Sequence, residues 1–209
     1  SATTSLAVFE EGDLINFAVF PLGSANITND IAIGLKTEVA IAEDIKKQHG
    51  SATIVKTDKD VSNKPLSFKG QDIKKEIRQP FDENKKPEDP YKFNQLSFTK
   101  KNLVDIIEPR VSEILDLMQK ELKKIGRQEL LPGGIVLTGG GVKLPKMKEL
   151  VKEQMRLTCQ IGIPQGIVGL PEDPALATVA GLVLTGADFD STDQKGMLSG
   201  FTKWVSKFK

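Results

Sequence analysis

The sequence predicts an α/β fold in which a mixed sheet is flanked by helices. Two apolar runs, 4–9 and 14–20, enclose the turn Glu10-Glu11-Gly12-Asp13, a pattern typical of a β-hairpin. Apolar residues then recur at helical spacing, and a strand-like run over 134–138 passes through three glycines into another helical pattern. A hairpin, helices and a strand-glycine-helix unit in one chain together indicate the α/β class.

Composition excludes several classes of protein. The net charge of +1 over 209 residues argues against whole-chain nucleic-acid binding, so no nucleic-acid partner is expected. Cys159 is the only cysteine and His49 the only histidine, so neither a disulfide, a metal site nor a catalytic triad can be assembled, and a reducing compartment is expected. No run approaches the roughly 20 apolar residues of a membrane-spanning helix. Because Ser1 opens directly in a strand-like run, we expect the chain to be part of a longer protein.

The hairpin should be followed by two helices, 26–35 and 38–49. Thr37 stands where an N-cap is expected for the second helix, and Gly50 follows its end. Residues 56–91 are rich in Lys, Asp, Asn and Pro, which predicts a loop with short strands.

A long helix is predicted to begin after Thr99 and to end at Gly126. Pro109 lies inside it and should kink or restart it. Beyond the glycines we expect a helix over 144–155, a strand over 158–163 and a small-residue helix over 174–184. We interpret residues 1–185 as one large domain, with a helical and loop subdomain inserted at about 37–125.

Two local patterns favour a nucleotide site. The turn Gly139-Gly140-Gly141, between a strand and a helix, would let backbone approach a flat ligand, although an ordinary strand-helix crossing explains it equally well. At the start of the hairpin, the hydroxyls and amides of Thr3 and Thr4 could hold a phosphate.

Glu43 and Lys46 form a second candidate pair. They lie three residues apart on one helix face and could contact a ribose and a base edge together. A solvated surface ion pair is the simpler alternative.

Taken in order, the motifs resemble the FtsA family, within the superfamily of actin, Hsp70 and sugar-kinase ATPases. They are Pro21-Leu22-Gly23, Ile27-Thr28-Asn29-Asp30-Ile31-Ala32, Ala42-Glu43 with Ile45-Lys46, Ile107-Glu108-Pro109-Arg110 and Gly134-Ile135-Val136-Leu137-Thr138-Gly139-Gly140. The resemblance implies the second domain of an actin-like (ribonuclease H-like) ATPase, with ATP and Mg²⁺ as ligands.

On that resemblance, each part of the candidate site takes a role. Thr3 and Thr4 would belong to the second phosphate loop, Glu43 and Lys46 would contact ribose and adenine, and the glycine turn would face the adenosine. The Asp-x-Gly that usually precedes the two threonines is absent, and Ser5 stands where the family often has Asp. The first domain of the family, with its own phosphate loop, is expected to be missing as well. We therefore expect this chain to bind ATP weakly at best and to have no catalytic activity of its own, whereas the parent protein would bind ATP with at most a weak ATPase activity.

The resemblance also implies a peptide surface on the long helix. Family members receive the C-terminal peptide of the tubulin-like protein FtsZ near the Glu-Pro-Arg segment, and Arg110 and Glu113 are the matching positions. Arg110 could anchor an acidic group while apolar groups fill a groove. From the residues alone, Arg110 could equally pair with Glu113 or with another neighbour.

The end of the chain predicts a membrane anchor. Residues 186–196 are polar and acidic, which is typical of a linker, and 197–209 have the periodicity of an amphipathic helix. Its apolar face would hold Met197, Leu198, Phe201, Trp204, Val205 and Phe208, and its polar face includes Lys203 and Lys207. The alternative is a helix that docks on its own domain or on a partner helix.

Together these features imply an ATP-dependent scaffold. It would polymerise, tether FtsZ filaments to the inner face of the cytoplasmic membrane at the division septum, and meet other division proteins there. An actin-like scaffold of a pilus or secretion machine is one alternative, although such scaffolds usually lack a lipid-binding helix. Half of a sugar or acetate kinase is another, but we identify no polar groups specific to such a substrate.

Overall fold

The structure is a computed structural model, and it describes residues 1–54, 65–68 and 96–189. Six strands are assigned there: β1 (Thr4–Glu10), β2 (Asp13–Phe20), β3 (Pro65–Phe68), β4 (Leu96–Thr99), β5 (Ile135–Leu137) and β6 (Cys159–Ile161). The α-helices of the same ranges are α1 (Ser24–Leu35), α2 (Val39–His49), α3 (Lys100–Lys124), α4 (Met147–Met155) and α5 (Ala177–Phe189). Short 3₁₀ turns occupy Gly140–Lys143 and Pro174–Leu176.

The described strands form three two-stranded sheets, two antiparallel and one parallel, so both kinds of pairing occur, but in separate sheets. β1 pairs with β2 and β3 with β4 in antiparallel register, while β5 and β6 run parallel. The hairpin turn places Glu11 and Gly12 at φ 52° and 96°. Two consecutive left-handed residues match the twist of the flanking strands, which confirms the predicted hairpin.

The core lies between one face of the strands and the helices. Leu6, Ile135 and Leu137 face it from the strands and are partly buried. The largest side chains that are fully buried come from the helices: Ile31, Ile41, Ile45, Leu103, Ile107, Leu122, Leu150 and Val151. Because α1 packs on both α2 and α3, its position is fixed from two sides.

The predicted N-cap of α2 is wrong. Glu38 occupies that position and its side chain makes no capping bond. Thr37 instead completes the end of α1, where its N–H donates to the carbonyl of Ala32 at 2.9 Å and Lys36 adopts φ 52°. The tight connection between the helices leaves Thr37 closing the first helix rather than opening the second.

The predicted cap of α3 is confirmed. The Thr99 hydroxyl accepts from the N–H of Asn102 at 3.1 Å, and the Asn102 side chain accepts from the N–H of Thr99 at 3.1 Å. The helix does not restart at Pro109 but continues to Lys124, and Gly126 follows at φ 67°.

Other boundaries move by a few residues. A 3₁₀ turn takes up the residues after the glycines, so α4 begins at Met147 rather than at 144. The last helix extends to Phe189, into the first residues of the predicted linker. The remainder of that linker and the predicted helix at 197–209 lie outside the described residues. Within the described part, no helix has both the length and the apolar character needed to cross a bilayer.

Candidate nucleotide site

Lys46 is the buried centre of a polar cluster between α1 and α2. Its side chain leaves α2, is 9% exposed, and reaches the first turns of α1. The ammonium nitrogen Nζ lies 2.9 Å from Ser24 Oγ, 3.2 Å from the Ser24 carbonyl oxygen, 2.7 Å from Thr28 Oγ1 and 2.5 Å from Glu43 Oε2. A solvated surface ion pair is therefore the wrong interpretation for this lysine.

Glu43 balances the charge of Lys46. Its Oε2 also accepts a 2.5 Å hydrogen bond from the Thr28 hydroxyl, and Oε1 lies 3.6 Å from the Lys47 ammonium. Partial burial raises the pKa of Glu43, but hydrogen bonds from Lys46 and Thr28 and the two lysine charges outweigh it. The net effect is a pKa below the ordinary value of 4.5, so the carboxylate is ionised at neutral pH.

Thr3 and Thr4 lie against the start of α1. A Cβ added to Gly23 would come within 2.8 Å of both the Ser1 carbonyl oxygen and the Thr3 nitrogen, so only glycine fits at this crossing. The Thr4 hydroxyl donates to the Leu22 carbonyl at 2.7 Å. Because that proton is already committed, the Thr4 hydroxyl is not free to donate to a phosphate in this structure.

The glycine turn approaches the same helix end from the other side. Gly139 has φ 92°, a conformation that favours glycine. A Cβ placed on Gly141 would lie 3.7 Å from the side chain of Ser24, and one placed on Gly140 would lie 3.8 Å from the side chain of Ala175. The structure thus brings the turn and the Lys46 cluster together at Ser24, although more than a hundred residues separate Ser24 from the turn in sequence.

Sequence reasoning missed Ser24 and Thr28, which hold Lys46 in place. The available signal was their position: Thr28 lies within one of the motifs that carried the family resemblance, and Ser24 immediately follows another, at Gly23. Hydroxyls four residues apart share one helix face. Without knowledge that α2 packs there, nothing distinguished them from ordinary helix-start residues.

The site offers three chemical features around one helix N-terminus. They are an ammonium already held in position, a carboxylate beside it, and a turn without side chains. The start of α1 also carries the positive end of the helix dipole, which attracts anions, while the amides of Ala25 and Asn26 already donate to the carbonyls of Ser1 and Gly23. Across the described ranges, no group of three or more His, Cys, Asp or Glu residues could hold a metal ion.

Comparison with known proteins gives the family. A family model for the cell division protein FtsA matches residues 1–181. The chain belongs to the FtsA family. The curated FtsA of Pseudomonas aeruginosa is 31% identical over 201 residues, covering 95% of this chain and 43% of that protein. FtsA of Bacillus subtilis is 34% identical over 181 residues, covering 87% of this chain and 36% of that protein. The chain therefore spans about two fifths of the length of these FtsA relatives.

Solved structures support an actin-like fold for this FtsA-family chain. MreB5 of Spiroplasma citri bound to AMPPNP superposes with a TM-score of 0.64 at 18% identity, covering 93% of this chain and 53% of that one. The ADP-bound form gives 0.62 at 18% identity, covering 90% and 51%. The ethanolamine utilization protein EutJ from Carboxydothermus hydrogenoformans gives 0.52 at 16% identity, covering 88% and 46%.

The second predicted site of the FtsA-family chain, on α3, is tied to α1. Arg110 Nε and Nη2 donate to the two carboxylate oxygens of Asp30 at 2.6 and 3.0 Å, and Nη1 donates to Glu113. The Asp30 hydrogen bond raises the pKa of Arg110 further, more than burial lowers it. Glu113 thus pairs with Arg110, as the simpler interpretation of the helix predicted. Asp30, 80 residues away in sequence, is a second partner that the sequence pattern did not indicate.

Proposed function

We propose that this chain is the second domain of an FtsA-type division scaffold and contributes an ATP site at the start of α1, to which the chain by itself binds ATP weakly. The observation that carries the proposal is the buried Lys46, held against Ser24 where the glycine turn arrives. A buried ammonium with an ionised carboxylate, beside a turn without side chains, suits a polar ligand with a flat ring. The nucleotides named for the MreB5 structures support the same interpretation.

In this proposal each group binds or orients the nucleotide. Glu43 accepts from the ribose hydroxyls, Lys46 lies at the ribose and the adenine edge, and Gly139 to Gly141 leave room for the adenosine. Thr3 contributes to the phosphate end. Mg²⁺ would be held chiefly by phosphate oxygens and water. We assign no catalytic residue, and nucleotide binding would control self-assembly rather than drive metabolism.

Titration with a fluorescent ATP analogue tests the site. Lys46→Met keeps the buried methylene stem but removes the charge, and we expect it to weaken binding by about tenfold, the loss of one charge-assisted contact. Lys124→Met is the control, because Lys124 lies on α3, is 71% exposed and pairs with Glu121 instead. Equal affinity of the two variants would place the nucleotide elsewhere.

We also propose that the Arg110 surface receives an acidic peptide, the C-terminal peptide of FtsZ. Asp30 holds one edge of the guanidinium and Glu113 takes a single donor, so further N–H donors remain for an incoming carboxylate. Arg110→Ala should weaken binding of that peptide by about tenfold in fluorescence anisotropy. Arg127→Ala is the control, since Arg127 pairs with Glu10 of the hairpin instead. If the two variants bind the peptide equally, another surface is responsible.

The membrane part of the proposal rests on residues 197–209. Their apolar face would insert into the inner face of the cytoplasmic membrane at the septum, while their lysines contact anionic lipids. Trp204 is the only tryptophan, so its emission reports insertion directly. We expect a blue shift with anionic vesicles that high salt weakens and Phe201→Asp abolishes. No response to vesicles under any condition would remove the membrane anchor from the proposal.

A further inference from the structure

One face of the β1–β2 hairpin is apolar and uncovered in the described structure. Side chains alternate along β2, so Ile15, Phe17 and Val19 point to the same side, with exposures of 42%, 61% and 54%. Opposite Phe17 and Val19 lie Ala7 and Ser5 of β1, both exposed. We call this set of five residues the outer face.

The outer face differs from the other side of the same hairpin, where Leu6 and Val8 pack into the core. An apolar stripe that follows the strand periodicity differs from scattered exposure and is typical of a surface that packs against another segment or molecule. At the end of the outer face, the hairpin turn adds three exposed acidic residues: Glu11 and Asp13, and Glu10, which pairs with Arg127. The surface is thus apolar along its length and negative at one end.

The end of this chain has the complementary chemistry. Residues 197–209 are predicted to form a helix with six large apolar residues on one face, and they carry Lys203, Lys207 and Lys209 without any acidic residue. We propose that this segment docks on the outer face of the hairpin when no membrane is present. Apolar residues would meet Ile15, Phe17 and Val19, while the lysines would lie near the acidic turn.

The lengths of the two segments match. A 13-residue helix is about 20 Å long, and the eight residues of β2 extend about 26 Å. Residues 190–196 separate α5 from the helix, and seven extended residues reach up to about 24 Å. The helix is therefore short enough to lie along the strand, at the end of a tether of that length.

Docking would regulate the proposed membrane anchor, so the inference rests on that part of the proposed function. The sheet and the lipid surface would compete for the same apolar side chains. A ligand that covers the outer face would release the helix, and a membrane would expose the face. Membrane binding and availability of the hairpin surface would then change together.

The experiment follows Trp204 in the whole chain, first without lipid. In the unmodified protein we expect blue-shifted emission and protection from acrylamide quenching. Phe17→Asp and, independently, Val19→Asp should shift the emission to the red and increase quenching. With anionic vesicles, each variant should bind about tenfold more tightly than the unmodified chain, because the competing site is lost. Val168→Asp is the control: Val168 is fully exposed outside the hairpin, and this variant should behave like the unmodified chain.

The outcomes separate the two proposals. If vesicles bind the unmodified chain and Phe17→Asp changes neither emission nor affinity, docking is overturned and the anchor stands. If both variants expose Trp204 but no vesicle binds, docking is supported and the anchor fails. Sedimentation checks for a second copy on the outer face. A dimer that Phe17→Asp dissociates, with Trp204 exposed throughout, would overturn docking of the chain's own helix.

Discussion

Removing Glu43 should destabilise the fold more than removing Lys46, although Glu43 is the more exposed partner. The side chain of Glu43 is 35% exposed and that of Lys46 is 9% exposed. Glu43→Gln leaves a buried ammonium with only neutral acceptors, Ser24 and Thr28. Lys46→Met leaves a carboxylate that water, Thr28 and Lys47 can still stabilise.

The expected losses of stability follow from the different burial of Glu43 and Lys46. Leaving a buried charge without its partner costs about 3–5 kcal/mol, and the remaining neutral acceptors reduce this to about 2 kcal/mol for Glu43→Gln. For Lys46→Met the buried stem is conserved and a partly exposed carboxylate is left, so we expect about 1 kcal/mol. The double variant should be less destabilised than the sum of the two by about 1 kcal/mol.

Urea unfolding followed by far-UV circular dichroism measures these free energies, with the slope against urea concentration checked for constancy. Lys47→Met serves as the control and should change the free energy of unfolding by less than about 0.5 kcal/mol. A loss for Lys46→Met that exceeds the loss for Glu43→Gln would refute the reasoning. It would mean that the hydroxyl and carbonyl contacts, rather than the charge pair, hold Lys46.

Three further predictions concern the same domain. Gly134→Ala should lower the free energy of unfolding by about 2–4 kcal/mol, because the residue has φ 72° and the added Cβ would lie 2.1 Å from Thr158 Oγ1. The control is Gly133→Ala, whose Cβ would meet nothing within 4 Å and which should be near neutral in thermal unfolding. Burial raises the pKa of the Cys159 thiol, so a thiol reagent should label native protein far more slowly than protein in urea; equal rates would contradict its burial. Since the pKa of Glu43 is lowered, its stabilisation is present above the ordinary value of 4.5 and is lost as the pH falls through the folded-state pKa. The stability difference between the unmodified chain and Glu43→Gln should therefore shrink in acid, and a constant difference would contradict the assignment.

The sequence by itself determined the elements whose signals are local. Turn chemistry at Glu11 and Gly12 gave the hairpin, the Thr99 side chain gave the start of α3, and Gly126 marked its end. The motifs, taken in order, were also sufficient to identify the family. Local signals failed where two elements share one short connection, so Thr37 was assigned to the wrong helix.

Only the tertiary structure decided which side chains meet. Packing of α1 against α2 buries Lys46 on Ser24, and packing of α1 against α3 pairs Asp30 with Arg110. The glycine turn reaches Ser24 in the same way, from a distant part of the chain. Periodicity specifies which face of a helix is apolar, but not which neighbour covers that face. Contacts between residues distant in sequence therefore depend on how the whole domain packs.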